Sequence, residues 1–228
     1  MVLFLSFMIE KASILGSPHI GIFAYANNFF AIVPQGTTRT TQKTIEEVLE
    51  VEVIEATIGG SRLLGIFLAG NDNILLVSPI VYPEELDELK SQLSGRTRIE
   101  VFETKNTAIG NLLTINNKGA LASTDFTEEE IEKLRSLLGV KVRRTELLNY
   151  KAIGSLIACN DKVALAHPLL KEEETKVVSE TLDVAVSGAT INEGIGLVKS
   201  GVLINNKGLL VGSNTTGPEL MNIQALFL

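Results

Sequence analysis

The sequence predicts a mixed α/β protein built as a closed ring of five repeats. Three observations predict it. An asparagine turn recurs at Asn27, Asn71, Asn116, Asn160 and Asn205, at intervals of 44 or 45 residues. A β-branched run and an acidic helical pattern recur in step with it. The chain ends in a helical pattern with no strand after it, whereas the other helices are each followed by one. A repeat of this kind decides the architecture before any local detail does.

Each unit of about 45 residues reads as strand A, loop, strand B, asparagine turn, strand C and helix. The A strands are "MIEKASIL" (8–15), "VEVIEAT" (51–57), "RIEVFET" (98–104), "VKVRRTE" (140–146) and "DVAVSGAT" (183–190). Strands B and C flank the turns as short apolar runs. The turns read "ANNFF", "GNDNI", "INNKG", "CNDKV" and again "INNKG", so the pentapeptide at 115–119 returns unchanged at 204–208. Asparagine and glycine both tolerate a left-handed backbone, which suits a hairpin turn. A glycine stands six residues before the asparagine in four units (Gly21, Gly65, Gly110, Gly154), and Lys199 takes that place in the fifth.

The helices announce their starts. Pro83 suits a first helical position, Thr127 and Glu130 have capping-box spacing, and glutamates crowd the first turns. Apolar residues at Leu86, Leu89 and Leu93, and at Ile131, Leu134 and Leu138, give each helix one stripe to bury. In "NTTGPEL" (214–220), Thr216 caps the last helix, Gly217 permits the turn, Pro218 begins the helix and Glu219 faces its dipole. The strand missing after that helix is supplied by residues 8–15, which closes the ring and hides the sheet edges. One such unit is too small to bury its own core, so residues 1–228 are expected to form one domain. Its repeats are expected at about 8–50, 51–97, 98–139, 140–182 and 183–228, with residues 1–7 as an extension.

Composition limits the function. The chain is 45% hydrophobic without tryptophan, so its core is aliphatic. A formal net charge of −7 argues against a broad basic surface that wraps nucleic acid, and allows a basic protein partner. One basic cluster, Lys141, Arg143 and Arg144, could touch RNA but reads better as a charged strand edge. A single cysteine, Cys159, forbids an intrachain disulfide and suits a reducing cytoplasm. The apolar N-terminus has no basic residue before Lys11, unlike a signal peptide, and no apolar run reaches the roughly 20 residues of a membrane span. There is no phosphate-binding loop. Two histidines and one cysteine without ligand spacing predict no metal or cofactor.

The A–B loops hold the unusual residues: "LGSPHI" (15–20), "IGGSRLL" (58–64), "KNTAI" (105–109), "LLNYKAI" (147–153) and "INEGIG" (191–196). Ring symmetry places all five at one end, as a crown. Loops on a rigid scaffold carry function, so the candidate contact residues are Gly60, Ser61, Arg62, Lys105, Asn106, Thr107, Asn111, Asn192 and Glu193.

"TIGGSRLLG" (57–65), "KNTAIGNLLTINNKGAL" (105–121) and "NTTGPEL" (214–220) closely resemble the archaeal translation initiation factor six family, in register from Met8 onward. The resemblance implies the pentein fold, a five-fold pseudosymmetric α/β propeller. It implies binding to the intersubunit face of the large (50S) ribosomal subunit, mainly to a basic ribosomal protein near the sarcin–ricin loop, so that the small subunit cannot join. The factor is then a non-enzymatic, cytoplasmic monomer acting in initiation or subunit biogenesis. An end at Leu228 fits the archaeal form. The alternative is a guanidino-modifying pentein hydrolase using Cys159 with His167. Such chemistry needs a base close to the thiol.

Overall fold

The computed structural model describes residues 7–227. Unit one holds β1 (Met8–Ala12), the one-turn helix α1 (Ile20–Phe23), β2 (Tyr25–Ala26), β3 (Phe30–Pro34) and α2 (Arg39–Leu49). Unit two holds β4 (Glu52–Ala56), α3 (Leu64–Phe67), β5 (Leu68–Gly70), β6 (Ile74–Val77) and α4 (Pro83–Gln92). Unit three holds β7 (Arg98–Val101), α5 (Ile109–Leu112), β8 (Leu113–Ile115), β9 (Gly119–Ser123) and α6 (Glu128–Leu138). Unit four holds β10 (Lys141–Thr145), α7 (Ile153–Leu156), β11 (Ile157–Cys159), β12 (Val163–Ala166) and α8 (Glu172–Leu182). Unit five holds β13 (Ala185–Gly188), a 3-10 turn (Val198–Gly201), β14 (Val202–Ile204), β15 (Gly208–Gly212) and α9 (Gly217–Gln224).

The five sheets have three strands each. Strand C lies in the centre, antiparallel to strand B of its own unit and parallel to strand A of the next. The central strands are buried along their whole length and carry no charged residue. The A strands are edges, and β10 (KVRRT) shows it: Lys141 donates to the Glu180 carbonyl (2.6 Å) and Arg144 pairs with Glu128 (2.5 Å). Those charges are occupied within the protein, as expected of a blunted edge.

The expected closure is present. β1 pairs in parallel with β15, from Met8 opposite Gly208 to Ala12 opposite Gly212, so the first strand completes the fifth sheet. The extension expected at 1–7 lies outside the described residues except for Phe7, whose ring stacks on Phe227 at 4.0 Å. Each core forms between neighbouring units. Leu203 and Leu210 of unit five pack with Ile14, Ile20 and Ile45 of unit one, and Phe30 and Ile32 pack with Ile54, Leu64 and Leu89 of unit two. No unit buries its apolar face alone.

Two expectations need correction. The segment before each strand B is not plain loop but a helical turn. A single turn leaves no sequence period to detect. Its glycines explain their spacing: a Cβ on Gly65 would lie 1.9 Å from the Gly21 carbonyl oxygen, and one on Gly110 2.2 Å from that of Gly65. The glycines let the five turns close around a central pore. The second correction concerns the asparagine turns. None of their residues, glycine included, has a positive φ.

Other forces select those residues. The first asparagine caps its own turn: Asn205 Oδ1 accepts from Lys207 N–H (2.9 Å) and Gly208 N–H (3.0 Å). Its Nδ2 donates to the next unit, to the carbonyls of Asn27 (3.1 Å) and Leu49 (2.8 Å). Asn116 likewise reaches the Asn160 and Leu182 carbonyls, Asn160 reaches Asn205, and Asn71 reaches Leu138. Leu49, Leu138 and Leu182 end helices, whose last carbonyls lack partners within the helix.

The next residue in each turn closes a ring of its own. Backbone N–H groups donate from Asn28 to Asp72 Oδ1 (3.1 Å), Asp72 to Asn117 (3.0 Å), Asn117 to Asp161 (2.9 Å), Asp161 to Asn206 (3.0 Å) and Asn206 to Asn28 (2.8 Å). Five units, five bonds, all running one way, stopper this mouth of the pore.

The lysine and glycine of "INNKG" answer a further demand. Helices α2 and α8 end in Glu50 and Asp183, left-handed at φ 50° and 53°, a conformation that strains a residue with a side chain. Lys207 donates to the Glu50 carbonyl (3.0 Å) and Lys118 to that of Asp183 (2.9 Å), and each lies near the same residue's carboxylate. A Cβ on Gly208 or Gly119 would strike the Val48 or Thr181 carbonyl oxygen at 2.0 or 1.9 Å. The pentapeptide repeats because its partner repeats, as "LEV" (49–51) and "LDV" (182–184).

Asn205→Ala removes four buried hydrogen bonds at once, so it is expected to destabilise the protein by about 3 kcal/mol in urea denaturation. Asn73→Ala, at the exposed third position of its turn, is expected to change stability by less than about 0.5 kcal/mol.

Candidate functional site: a crown of loops

The end of the ring opposite the asparagine stopper carries the A–B loops, as expected. Most are tight hairpin turns. Ile14 and Ser17 exchange backbone bonds around Leu15 and Gly16 (φ 52° and 76°). Ile58 and Ser61 do so around Gly59 and Gly60 (60° and 71°), and Leu147 and Tyr150 around Leu148 and Asn149 (53° and 60°). Positive φ at both central residues marks the turn that matches strand twist. Loop five is one residue longer, with Asn192, Glu193 and Gly194 left-handed between Ile191 and Ile195. Loop three has no left-handed residue. Its Asn106 N–H donates to the Thr104 hydroxyl (3.1 Å) and its side-chain amide to the Asp125 carbonyl (3.2 Å).

The candidate residues do not all reach solvent. Gly60, Arg62, Lys105, Thr107 and Glu193 are exposed, while Ser61 and Asn106 are half-buried. Asn111 is half-buried beside Ser155 and Leu197, in a hollow of about 150 Å³ at the pore mouth. Asn192 is buried: its Nδ2 donates to the Pro18 carbonyl (2.9 Å) and its N–H to the Thr215 hydroxyl (3.2 Å). It ties loop five to loop one. Side chains that pattern reading passed over are also exposed at this end: Leu15, Tyr82, Tyr150 and Leu197. Loop chemistry drew attention to glycine, charge and amide, and single apolar side chains left no periodic signal.

The helices begin at this end too, and their glutamates join them to the crown. Glu219 accepts from the N–H groups of Thr216 (2.7 Å), Gly194 (2.9 Å) and Glu193 (3.3 Å). Burial alone would push its carboxyl up, but the hydrogen bonds from Thr216 and Gly194 outweigh it and hold the group at about 2. Glu85 and Glu130 are lowered for the same reason against the same opposing burial. The cap expected in "NTTGPEL" is therefore present. Gly217 proves to be the first helical residue, with no positive φ.

Between the two ends runs the pore, whose middle chamber of about 90 Å³ is lined by Cys159, Lys199, Ile115 and Ile204. Lys199, where other units have glycine, donates across the ring to the Gly110 carbonyl (2.6 Å). Burial lowers its ammonium to about 8, against the opposing pull of Cys159. Burial pushes the Cys159 thiol up to about 12. His167 lies beyond the opposite end of this hairpin: β11 sets Cys159 against Ala164 and Ile157 against Ala166, and the His167 N–H bonds the Leu156 carbonyl. The imidazole packs against Gly196 instead. The thiol–imidazole pair needed by the hydrolase alternative is not assembled. Among the described residues no group of three His, Cys, Asp or Glu could hold a metal ion, and no helix is long and apolar enough to cross a membrane.

Two outcomes follow. Cys159 is expected to resist a thiol reagent at pH 8 until the protein unfolds, so its modification rate in urea should track unfolding. For Glu219 the folded value lies below the usual carboxylate range, so the group stabilises the fold above about pH 4.5 and ceases to as pH falls toward 2. The stability difference between wild type and Glu219→Gln, measured by denaturation across that window, is expected to shrink in that direction.

A family model described as the eIF-6 family matches residues 9–226. A translation initiation factor 6 from Staphylothermus marinus is 38% identical over 217 residues, 95% of this chain and 96% of that one. One from Thermococcus gammatolerans is 43% identical over 219 residues, with 95% and 96% coverage, and one from Saccharolobus solfataricus is 38% identical over 217, with 95% and 97%. Among solved structures, a C. jejuni agmatine deiminase gives a TM-score of 0.39 at 13% identity over 70% of this chain and 59% of that one, too slight a likeness to build on. A five-unit ring matched almost end to end by the family model, with relatives near 40% identity, places this chain in the eIF-6 family.

Proposed function

We propose that this chain is a translation initiation factor that binds the large ribosomal subunit through its crown and keeps the small subunit from joining. Membership of a family whose relatives are named translation initiation factor 6 carries the reading. The crown supports it. Its loops are held as tight turns, so little ordering is lost on docking. It exposes Tyr82, Tyr150 and Leu15 beside Arg62 and Lys105, and tyrosine and arginine are frequent anchors of interfaces. The helix first turns around it carry Glu84, Glu128, Glu129, Glu172 and Glu173. An acidic rim on a chain of net charge −7 suits a basic partner, here a ribosomal protein near the sarcin–ricin loop, and speeds the encounter.

In this reading Gly60, Ser61, Arg62, Lys105, Asn106, Thr107 and Glu193 meet the subunit. Asn111 lies at the centre of the contact, and the buried Asn192 holds loop five in place. The chain acts as a single-domain, cytoplasmic monomer without catalysis. Ribosomal RNA is a minor partner, because Lys141 is engaged by α8 and Arg144 by α6.

Cosedimentation with large subunits tests this. Wild type is expected to pellet with them at moderate salt and to lower the yield of joined ribosomes. Arg62→Glu with Lys105→Glu and Asn106→Ala is expected to lose about tenfold or more in affinity, about 1.4 kcal/mol, with thermal stability nearly unchanged. A wild type that stays in the supernatant contradicts the proposal.

A further inference from the structure

We infer that Glu85, Glu174 and Glu219, the third residues of helices α4, α8 and α9, are positioning residues for subunit binding, each fixing one crown loop in its contact-ready shape. The inference rests on the function proposed above and adds a part that loop sequences alone do not disclose. A glutamate at this helix position ordinarily serves its own helix, by accepting from the N-cap N–H. Here each carboxylate does that with part of its capacity. Glu85 accepts from Tyr82 N–H (2.9 Å), Glu174 from Lys171 N–H (2.9 Å) and Glu219 from Thr216 N–H (2.7 Å).

The remaining capacity goes to the crown. Glu85 accepts from Gly59 N–H (2.6 Å), Gly60 N–H (2.8 Å) and the Thr57 hydroxyl (2.6 Å). Glu174 accepts from Leu148 N–H (2.6 Å), and Glu219 from Glu193 and Gly194 N–H. Apart from the Thr57 hydroxyl, the donors are left-handed residues at the turn tips. Those amides take no part in the backbone pairs Ile58–Ser61, Leu147–Tyr150 and Ile191–Ile195 that close the turns, so the carboxylates add a second tie, from the turn tip to the helix. A carboxylate receiving several N–H bonds is a strong acceptor.

The ring supplies its own comparisons. Unit one has Thr41 at the equivalent helix position, whose hydroxyl donates to the Ser13 carbonyl, and among the described residues no carboxylate bonds the tip at Leu15 and Gly16. In unit three Glu130 caps Thr127 (2.7 Å) and bonds Thr104, but loop three has no left-handed tip for it to hold. Loops two, four and five therefore form the rigid part of the contact.

Glutamine in place of each glutamate keeps the shape but offers one acceptor where there were two and turns an NH₂ donor toward N–H donors. Glu85→Gln, Glu174→Gln and Glu219→Gln, singly and combined, would be compared with Thr38→Ala. That control removes the cap of α2 (Thr38 accepts from Thr41 N–H) without touching a crown loop. Two readouts are needed: affinity for large subunits, and amide hydrogen exchange of the free protein at Gly59, Gly60, Leu148 and Gly194. Glu85→Gln is expected to weaken affinity about tenfold and to speed exchange at Gly59 and Gly60, while Thr38→Ala loses stability but keeps affinity. Unchanged exchange in Glu85→Gln and Glu219→Gln overturns the clamp. Faster exchange with unchanged affinity overturns the positioning role. Wild type that fails to bind subunits overturns the proposed function itself, and the wild-type arm distinguishes that failure from the other two.

Discussion

The structure depends on one arrangement: each unit's turn asparagine is satisfied by the unit that follows it. Asn205 shows the arrangement in full, with Oδ1 spent on its own turn and Nδ2 on Asn27 and Leu49 of unit one. A buried amide that leaves one of these bonds unmade is costly, so no unit is complete without its successor. In an open chain the fifth unit would have no successor. The pairing of β1 with β15 brings unit one to it, and the direction of bonding around the ring then has no end. Burial follows the same rule, because each core is shared between neighbours.

That mutual dependence explains what the sequence disclosed and what it hid. The period was legible because turns, central strands and helices must recur where the geometry recurs. Closure was legible because the chain lacked a strand at one end and had a spare one at the other. The capping residues were legible from local rules, Thr127 with Glu130 and Thr216 with Glu219. The reason for "INNKG" was not. Left-handed backbone is the local explanation for asparagine and glycine, yet the demand came from helix ends more than 60 residues away, at Leu182, Asp183, Leu49 and Glu50. The one-turn helices escaped because four residues show no period. Within the crown, Arg62 and Lys105 were readable as exposed charge. The burial of Asn192 depends on Pro18, far off in sequence and beside it only once the ring closes.

A ring held in this way separates its two ends. One end is closed by the Asn28–Asp72–Asn117–Asp161–Asn206 circle, and its polar groups are spent on one another. The pore behind it is crossed by Lys199 and holds a thiol pushed far from reactivity. The other end displays short turns of fixed shape over an acidic rim and exposes tyrosines, an arginine and lysines. Under the proposed function, binding at the crown, with the ring as a spacer behind it, would obstruct whatever approaches that face of the subunit.

The central claim is therefore one of orientation. A cryo-electron microscopy reconstruction of the large subunit with this protein bound tests it most directly. The account predicts density for the ring with loops 58–64, 105–109 and 191–196 against the intersubunit face and the asparagine turns pointing to solvent. Density with the asparagine face or the outer helices against the subunit would contradict it.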